Sequence, residues 1–317
     1  MLTSKLRPKT LGDVTGQPLA VGILRKFVQN PGNSPNCLLF HGTYGTGKTS
    51  SARAFAHELN GASQPDDRAN YITEFNCASL EHDLKNSKSV EDFLGWRLMT
   101  IPDKWDVVIF DEIQGASVNF QTGLLTFIEK THSKQFFVFC TTDINSVIDT
   151  LRSRCMPVEF KAVGYDDICM NLGESAKVEG IALPAEIKSL IAVRSNGHMR
   201  DAHMELQKYL SLGEQDYTAN VFSYYAVISE MFIAAYKGNK GSMLDCLSRL
   251  SHSPLPTIKK EFESFVIDCA NAKYLGKNSS IGEVNSLLNV YGDDFMSLIN
   301  FYTGIWDNSL FGSDRHF

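Results

Sequence analysis

A glycine-rich stretch near the start of the chain has the spacing of a phosphate-binding loop. Residues 42–49 read Gly-Thr-Tyr-Gly-Thr-Gly-Lys-Thr, which matches the pattern Gly-x-x-x-x-Gly-Lys-Thr. In such a loop, backbone N–H groups surround phosphate oxygens, the lysine neutralises the β- and γ-phosphates, and the threonine hydroxyl binds magnesium. The sequence therefore predicts that Lys48 and Thr49 bind the phosphates and the metal of a nucleoside triphosphate. The other predicted phosphate-binding residues are Gly42, Thr43, Tyr44, Gly45, Thr46, Gly47 and Ser50.

Two carboxylates follow an apolar run and could hold a metal ion and a water molecule. Asp111 and Glu112 come directly after residues 107–110, which read Val-Val-Ile-Phe. This position predicts that Asp111 binds magnesium jointly with Thr49, and that Glu112 is a general base or orients the attacking water. The alternative is a solvated acidic pair that caps a helix.

Three further residues could complete a phosphate site. Thr142 follows the apolar run 136–140, and we expect its hydroxyl to reach the γ-phosphate or the water, although a helix N-cap is the alternative. Of Arg152 and Arg154, one could reach the γ-phosphate of a neighbouring subunit in a ring, whereas two solvated arginines are the alternative. Arg200 stands in the first turn of a predicted helix, where a cation is unfavourable unless an anion such as phosphate lies nearby.

The elements that must position these residues alternate between apolar runs and helical patterns. Continuous apolar runs are typical of strands buried on both faces of a parallel sheet, whose carboxyl ends bind ligands. The predicted strands are 37–40, 71–75, 107–110, 136–140 and 157–160. The predicted helices are 19–29, 48–59, 119–130, 165–179, 184–194 and 199–210, with one or two more in 81–97 and four or five after 217.

The change from α/β alternation to helices alone predicts three domains. These are a nucleotide-binding α/β domain at 1–161 with a five-stranded parallel sheet, a small helical lid at 162–213 and an all-α domain at 214–317. The 317 residues contain no apolar run near the ~18–20 residues of a membrane span. The first eight residues lack the apolar core of a signal peptide, so we expect a cytoplasmic protein without a membrane partner.

Charge and cysteine usage exclude some classes of site. The net charge of −6 argues against a generally basic nucleic-acid-binding surface but leaves room for a local one. The seven cysteines are scattered and form no Cys-x-x-Cys pair, which predicts reduced core cysteines and no zinc site. Lys85 and Lys88 could contact DNA phosphates or a protein partner, although a solvated helix face is the preferred interpretation.

Together these motifs resemble the clamp-loader ATPase subunits of the AAA+ superfamily. The sequence is similar to the bacterial DNA polymerase III tau/gamma subunit and to the small subunits of replication factor C over about residues 5–210. The Ser-Arg-Cys motif at 153–155 separates clamp loaders from most other AAA+ proteins. The remaining matching motifs are Arg7 with Pro8, residues 11–14, Gly16 with Gln17, the phosphate loop, Asp111 with Glu112, Gln121 with Leu124, Leu125 and Glu129, residues 141–143, and residues 197–202.

The resemblance implies a role for each matching position. Val14, Gly16 and Gln17 would lie beside the adenine of ATP, and Thr142 would be the sensor 1 residue. Arg154 would be an arginine finger that acts on a neighbouring subunit, and Arg200 would be the sensor 2 residue. The resemblance further implies a pentamer assembled through a collar at 214–317, which opens a sliding clamp when ATP is bound. The assembly would hold primer-template DNA and release the clamp on hydrolysis.

The chain departs from the bacterial members in ways that leave alternatives open. Bacterial tau/gamma subunits carry a four-cysteine zinc module after the phosphate loop, whereas only Cys77 lies in that interval here. A zinc-free subunit of this length resembles the large clamp-loader subunit of T-even-type phages; the host or phage origin stays open, and the compartment would be the host cytoplasm if the chain is phage-encoded. Two other functions are possible: an AAA+ motor that remodels DNA junctions or forks, and a clamp-loader subunit that binds nucleotide without hydrolysing it.

Overall fold

The structure is a computed structural model that describes residues 5–62, 69–79, 103–129, 134–217 and 239–250, with positions 227, 228, 230, 231 and 234. Its strands are β1 (Cys37–His41), β2 (Ile72–Asn76), β3 (Asp106–Asp111), β4 (Gln135–Thr141) and β5 (Met156–Glu159). Its helices are α1 (Pro18–Gln29), α2 (Lys48–Leu59), α3 (Val118–Glu129), α4 (Asp149–Arg152), α5 (Tyr165–Val178), α6 (Ala185–Arg194), α7 (Met199–Leu212) and α8 (Lys240–Leu250). Short 3-10 turns lie at Leu11–Asp13, Pro31–Asn33, Ile113–Gly115 and Ile144–Ser146.

The five strands form one parallel sheet in the order β2-β3-β4-β1-β5. This arrangement confirms the predicted α/β fold with a five-stranded parallel sheet. The carboxyl ends of β3, β4 and β1 are adjacent, because β4 pairs with both other strands. The residues that follow these three strands are therefore brought to one edge of the sheet, where ligands bind in open α/β folds.

Two hydrophobic cores lie on opposite faces of the sheet, since alternate residues of each strand point to opposite sides. Phe137 and Phe139 of β4 belong to the core covered by α3. Phe136 and Val138 belong to the other core, which is covered by α1 and α2. All seven residues of β4 are buried, and the five between Gln135 and Thr141 are the apolar run 136–140 that the sequence predicted as a strand.

The chain divides into two compact units, Met1–Ile181 with Gly197–Met204, and Ala182–Asn196 with Glu205–Phe317. The sheet and the predicted site residues all belong to the first unit. Helices α5, α6 and α7 are the three helices predicted for the lid, and each begins and ends within two residues of its predicted bounds. The collar at 214–317 and the helices predicted at 81–97, with Lys85 and Lys88, lie largely or wholly outside the described residues. The three-domain division therefore stays a prediction.

Six cysteines fall in the described part of the chain, and all six are free. Five of them are buried, in agreement with their predicted place in the core, and burial raises the pKa of Cys77 to about 12. Cys269 lies outside the described ranges. Within these ranges no group of three or more His, Cys, Asp or Glu side chains could hold a metal ion. No helix of the described residues is long and apolar enough to cross a membrane.

Candidate nucleotide-binding site

The phosphate loop joins β1 to α2 and takes a backbone path that glycine favours. Gly42, Gly45 and Gly47 have φ angles of +143°, +70° and +98°. A Cβ atom at Gly42 would lie 2.0 Å from the carbonyl oxygen of Phe160, the residue after β5. Only glycine fits there without moving the sheet edge. The loop then leads directly into α2, whose N-terminus is the positive end of a helix dipole.

Lys48 is a buried cation at the start of α2. Its side chain is 7% exposed, and its Nζ donates hydrogen bonds to the carbonyl oxygens of Gly42 and Thr43, both at 2.8 Å. Burial lowers the pKa of Lys48, although the nearby carboxylates Asp111 and Glu112 act in the opposite direction. A buried ammonium that donates to two loop carbonyl oxygens and stands at the first position of α2, near the positive end of the helix dipole, fits an anionic phosphate.

Thr49 of α2 and Asp111 at the end of β3 are in contact at the carboxyl edge of the sheet, as the sequence predicted. Thr49 Oγ1 donates to the carboxylate of Asp111, at 3.0 Å from both oxygens. Burial raises the pKa of Asp111, and the hydrogen bond from Thr49 opposes this effect. A hydroxyl and a desolvated carboxylate are the oxygen ligands that Mg²⁺ prefers, so these two residues fit a magnesium ion that also binds phosphate. Their metal-binding role stays a prediction.

Glu112 and Thr142 are joined through a third side chain, Gln114. The Nε2 atom of Gln114 donates to Glu112 Oε2 and, at 2.9 Å, to Thr142 Oγ1. Its Oε1 atom accepts a hydrogen bond from Thr141 Oγ1, also at 2.9 Å. Glu112 itself has a φ of +53°, a conformation that non-glycine residues rarely adopt. The structure thus places the predicted base and the predicted sensor 1 residue in one hydrogen-bonded group.

The alternative interpretation as helix caps holds for Asp143 of the 141–143 stretch, but not for the side chains of Glu112 and Thr142. Glu112 precedes the 3-10 turn Ile113–Gly115, but its side chain makes no capping hydrogen bond to that turn. The turn after β4 is capped by Asp143, which accepts a hydrogen bond from the N–H group of Asn145. Thr142 is therefore not the N-cap, and its exposed hydroxyl is turned toward Gln114 instead.

The predicted adenine-side residues lie against the loop. Gln17 is 4% exposed and donates through Nε2 to the carbonyl oxygens of Lys161, at 2.7 Å, and Thr46, at 3.3 Å. Its Oε1 atom accepts from the N–H group of Lys161 at 3.1 Å. Val14 packs against the core that contains α1 and α2, and Gly16 turns the chain with a φ of +71°. Gln17 thereby fixes the N-terminal segment to the loop, while the adenine contact stays a prediction.

The two predicted arginines differ in their surroundings. Arg200 lies in the first turn of α7, as predicted, and its N–H group donates to the carbonyl oxygen of Gly45 at 3.4 Å. Its charge lies near enough to Lys48 to lower the pKa of that ammonium. Arg154 instead pairs with Glu129 of α3, at 2.9 Å between Nη2 and Oε1. The side chain of Arg154 is 42% exposed, and the arginine has no hydrogen bond to the loop in the described part of the chain.

Comparison with known proteins agrees with this architecture. The family model for the DNA polymerase III delta subunit matches residues 16–164, which include the loop, both carboxylates and Arg154. A replication factor C small subunit from Aeropyrum pernix is 30% identical over 244 residues, which are 74% of this chain and 71% of the relative. The chain belongs to the clamp-loader subunits of the AAA+ superfamily. The resemblance inferred from the motifs is thereby confirmed.

Two other similarities are less informative about the family, because one relative is much longer than this chain and one structure has a low sequence identity. Protein STICHEL from Arabidopsis thaliana is 29% identical over 72% of this chain, which spans only 20% of the length of that relative. The structure of AMPPCP-bound DnaA from Aquifex aeolicus superposes with a TM-score of 0.57 over 95% of this chain and 98% of that chain, at 16% identity. This second likeness shows the AAA+ fold alone. The clamp-loader motifs are therefore what separate this chain from other members of the superfamily.

Sequence reasoning missed one residue of this clamp-loader site. Gln114 was not singled out, yet it contacts both Glu112 and Thr142. The available signal was its position two residues after Glu112, in the tight turn that follows β3. Because this turn directly follows β3, a polar residue in it can lie near the carboxyl ends of the strands.

Proposed function

We propose that this chain is an ATP-hydrolysing subunit of a sliding-clamp loader. The observation that carries the proposal is the contact of Thr49 with Asp111 at the mouth of the phosphate loop, with Glu112 beside it. Such a group has the parts that phosphoryl transfer requires: a phosphate cradle, a metal-binding pair and a base next to the metal. Membership of the clamp-loader family supplies the setting in which these parts would act.

The chain's own residues divide the chemistry among them. The loop N–H groups and Lys48 bind and orient the phosphates, while Thr49 and Asp111 would hold Mg²⁺, which neutralises developing charge. Glu112 accepts a proton from the attacking water, and Gln114 keeps that carboxylate beside Thr142. The backbone N–H group of Arg200, in α7, donates to the loop at Gly45. A γ-phosphate bound in the loop would be an anionic partner for the guanidinium group of Arg200.

Arg154 completes the site of a neighbouring subunit in this proposal. The arginine pairs with exposed Glu129 rather than with the loop of its own chain. An exposed ion pair contributes only about 0–1 kcal/mol, so exchanging Glu129 for a neighbour's phosphate costs little. Hydrolysis would then depend on assembly, and Arg154→Ala should leave ATP binding near normal while sharply reducing the hydrolysis that clamp and DNA stimulate.

The remaining parts of the proposal concern partners. We propose a pentamer with other clamp-loader subunits that binds ATP, opens a sliding clamp, grips primer-template DNA and releases the clamp on hydrolysis. The relative named as a replication factor C small subunit supports this setting. The proposed compartment is the cytoplasm, which would be the host cytoplasm if the chain is phage-encoded.

A Glu112→Gln variant tests the proposal. It keeps the shape of the side chain and removes the base, so the assembly should bind ATP, clamp and primed DNA but stay trapped without turnover. Glu174→Gln is a matched control, because Glu174 is an exposed residue of α5 that pairs with Lys177. Native mass and phosphate release would be measured for both variants with clamp and primed DNA present. Normal turnover in the Glu112 variant would rule out that residue as the base.

A further inference from the structure

The side chain of Tyr44, in the middle of the phosphate loop, is turned toward α7. Its ring stacks on His198, with the centroids 4.1 Å apart and the planes only 7° from parallel. Its hydroxyl donates to Asp201 Oδ2 at 3.2 Å. His198 and Asp201 lie two residues before and one residue after Arg200. A single loop side chain therefore contacts the residues on both sides of the predicted sensor arginine.

The backbone makes a second connection at the same place. The N–H group of Arg200 donates to the carbonyl oxygen of Gly45 at 3.4 Å. A Cβ atom added at Gly45 would lie 3.1 Å from the Cβ atom of His198, so loop and helix are already in close contact. The loop tip and the first turn of α7 are thus held by a ring stack, a side-chain hydrogen bond and a backbone hydrogen bond.

The phosphate cradle itself does not need an aromatic side chain at position 44. Loop phosphates are bound by backbone N–H groups, to which any residue at this position would contribute equally. Tyrosine has only two side-chain torsions, so it forms a rigid contact at low entropic cost. Arg200 is an exposed cation at the positive end of the α7 dipole, which disfavours its charge, and the neighbouring carboxylate of Asp201 already accepts a hydrogen bond from Tyr44.

We infer that Tyr44 is a positioning residue that sets Arg200 over the phosphate site by fixing the first turn of α7 to the loop. This inference rests on the proposed function, in which Arg200 meets the γ-phosphate of ATP. A residue that acts through Arg200 affects only the ligand that Arg200 touches. Tyr44 should therefore contribute to the affinity for ATP but not to the affinity for ADP, which has no γ-phosphate.

Equilibrium binding of fluorescent ATP and ADP analogues to the full chain tests this inference. Tyr44→Ala should weaken ATP binding about three- to tenfold, the range that an aromatic contact supplies, and leave ADP binding within about twofold. Tyr44→Phe keeps the ring that stacks on His198 and removes the hydroxyl that donates to Asp201, so it should restore most of the ATP affinity. His198→Ala removes the partner ring and should reproduce the effect of Tyr44→Ala.

A double variant separates positioning from a general effect on the loop. Tyr44→Ala combined with Arg200→Ala should bind ATP no more weakly than Arg200→Ala alone, because Tyr44 then has nothing to position. Met204→Ala is the control, since Met204 lies on the same helix and is 58% exposed. Equal losses of ATP and ADP affinity in Tyr44→Ala, or additive effects in the double variant, would overturn the inference. Wild-type protein that binds neither nucleotide would instead refute the proposed function.

Discussion

Replacing Gln114 with methionine isolates the contact that joins the proposed base to Thr142. Methionine has nearly the same length but can neither donate nor accept the bonds that Gln114 makes with Glu112, Thr142 and Thr141. The carboxylate of Glu112 would lose the donor that holds it. Glu112 already has an unusual φ of +53°. Among the described residues, its carboxylate has no other hydrogen bond that fixes its direction.

The size of the effect follows from the bond to the carboxylate. A hydrogen bond to a charged group contributes about 1.5–3 kcal/mol, and the partly exposed position of Gln114 favours the lower end. Each 1.36 kcal/mol lost from transition-state stabilisation is a factor of about ten, so kcat should fall roughly tenfold. Gln114 has no hydrogen bond to the phosphate loop among the described residues, and we therefore expect KM for ATP to change less than about threefold.

Steady-state phosphate release with saturating clamp and primed DNA measures both parameters. Gln29→Met is the control, because Gln29 is exposed at the end of α1, away from the strand ends. Gln114→Glu should reduce kcat further than Gln114→Met, since it places a second carboxylate beside Glu112. A kcat within about twofold of wild type in Gln114→Met, or a faster one, would refute the idea that Gln114 orients the base.

Three other predictions concern charge. Asp111→Asn should abolish magnesium-dependent hydrolysis yet raise the Tm of the nucleotide-free protein in a thermal melt, because burial raises the pKa of Asp111 and so opposes its charge. Burial lowers the pKa of His203 to about 4, so between pH 6.5 and 4 the unfolded chain binds a proton that the folded chain does not. The free energy of unfolding, measured in urea, should therefore fall by roughly 2 kcal/mol from pH 7 to 5. The variant His203→Gln should lose this part of the pH dependence. Glu129→Gln removes the charge that pairs with Arg154, whose Nη1 still donates to the carbonyl oxygen of Thr150, and should raise stimulated hydrolysis up to about fivefold, with unchanged hydrolysis as the contrary result.

The sheet and the loop could be predicted because their signals are local. Each strand is a short apolar run followed by polar residues, and the glycines of the loop mark a backbone that needs positive φ angles. The meeting of Thr49 with Asp111 also followed, since parallel strands bring their carboxyl ends to one edge. These features depend on residue type and spacing alone.

The contacts that could not be predicted join side chains from separate elements. The pair of Arg154 with Glu129 requires the position of α4 relative to α3, and the stack of Tyr44 on His198 joins residues 154 positions apart. Gln114 is near in sequence, but its role depends on a rare backbone angle at Glu112, which the residue type does not suggest. Tertiary placement decides each of these contacts.

A complementation experiment tests the central claim, that ATP is hydrolysed at a site shared between two copies of this chain. Glu112→Gln lacks the base but keeps Arg154, and Arg154→Ala lacks the finger but keeps the base. Each variant alone should be inactive in phosphate release with clamp and primed DNA. When the two are mixed and assembled together, interfaces that pair an intact Glu112 with an intact Arg154 should regain part of the wild-type hydrolysis. A mixture that stays inactive at every ratio, although native mass shows that the variants assemble together, would contradict the claim.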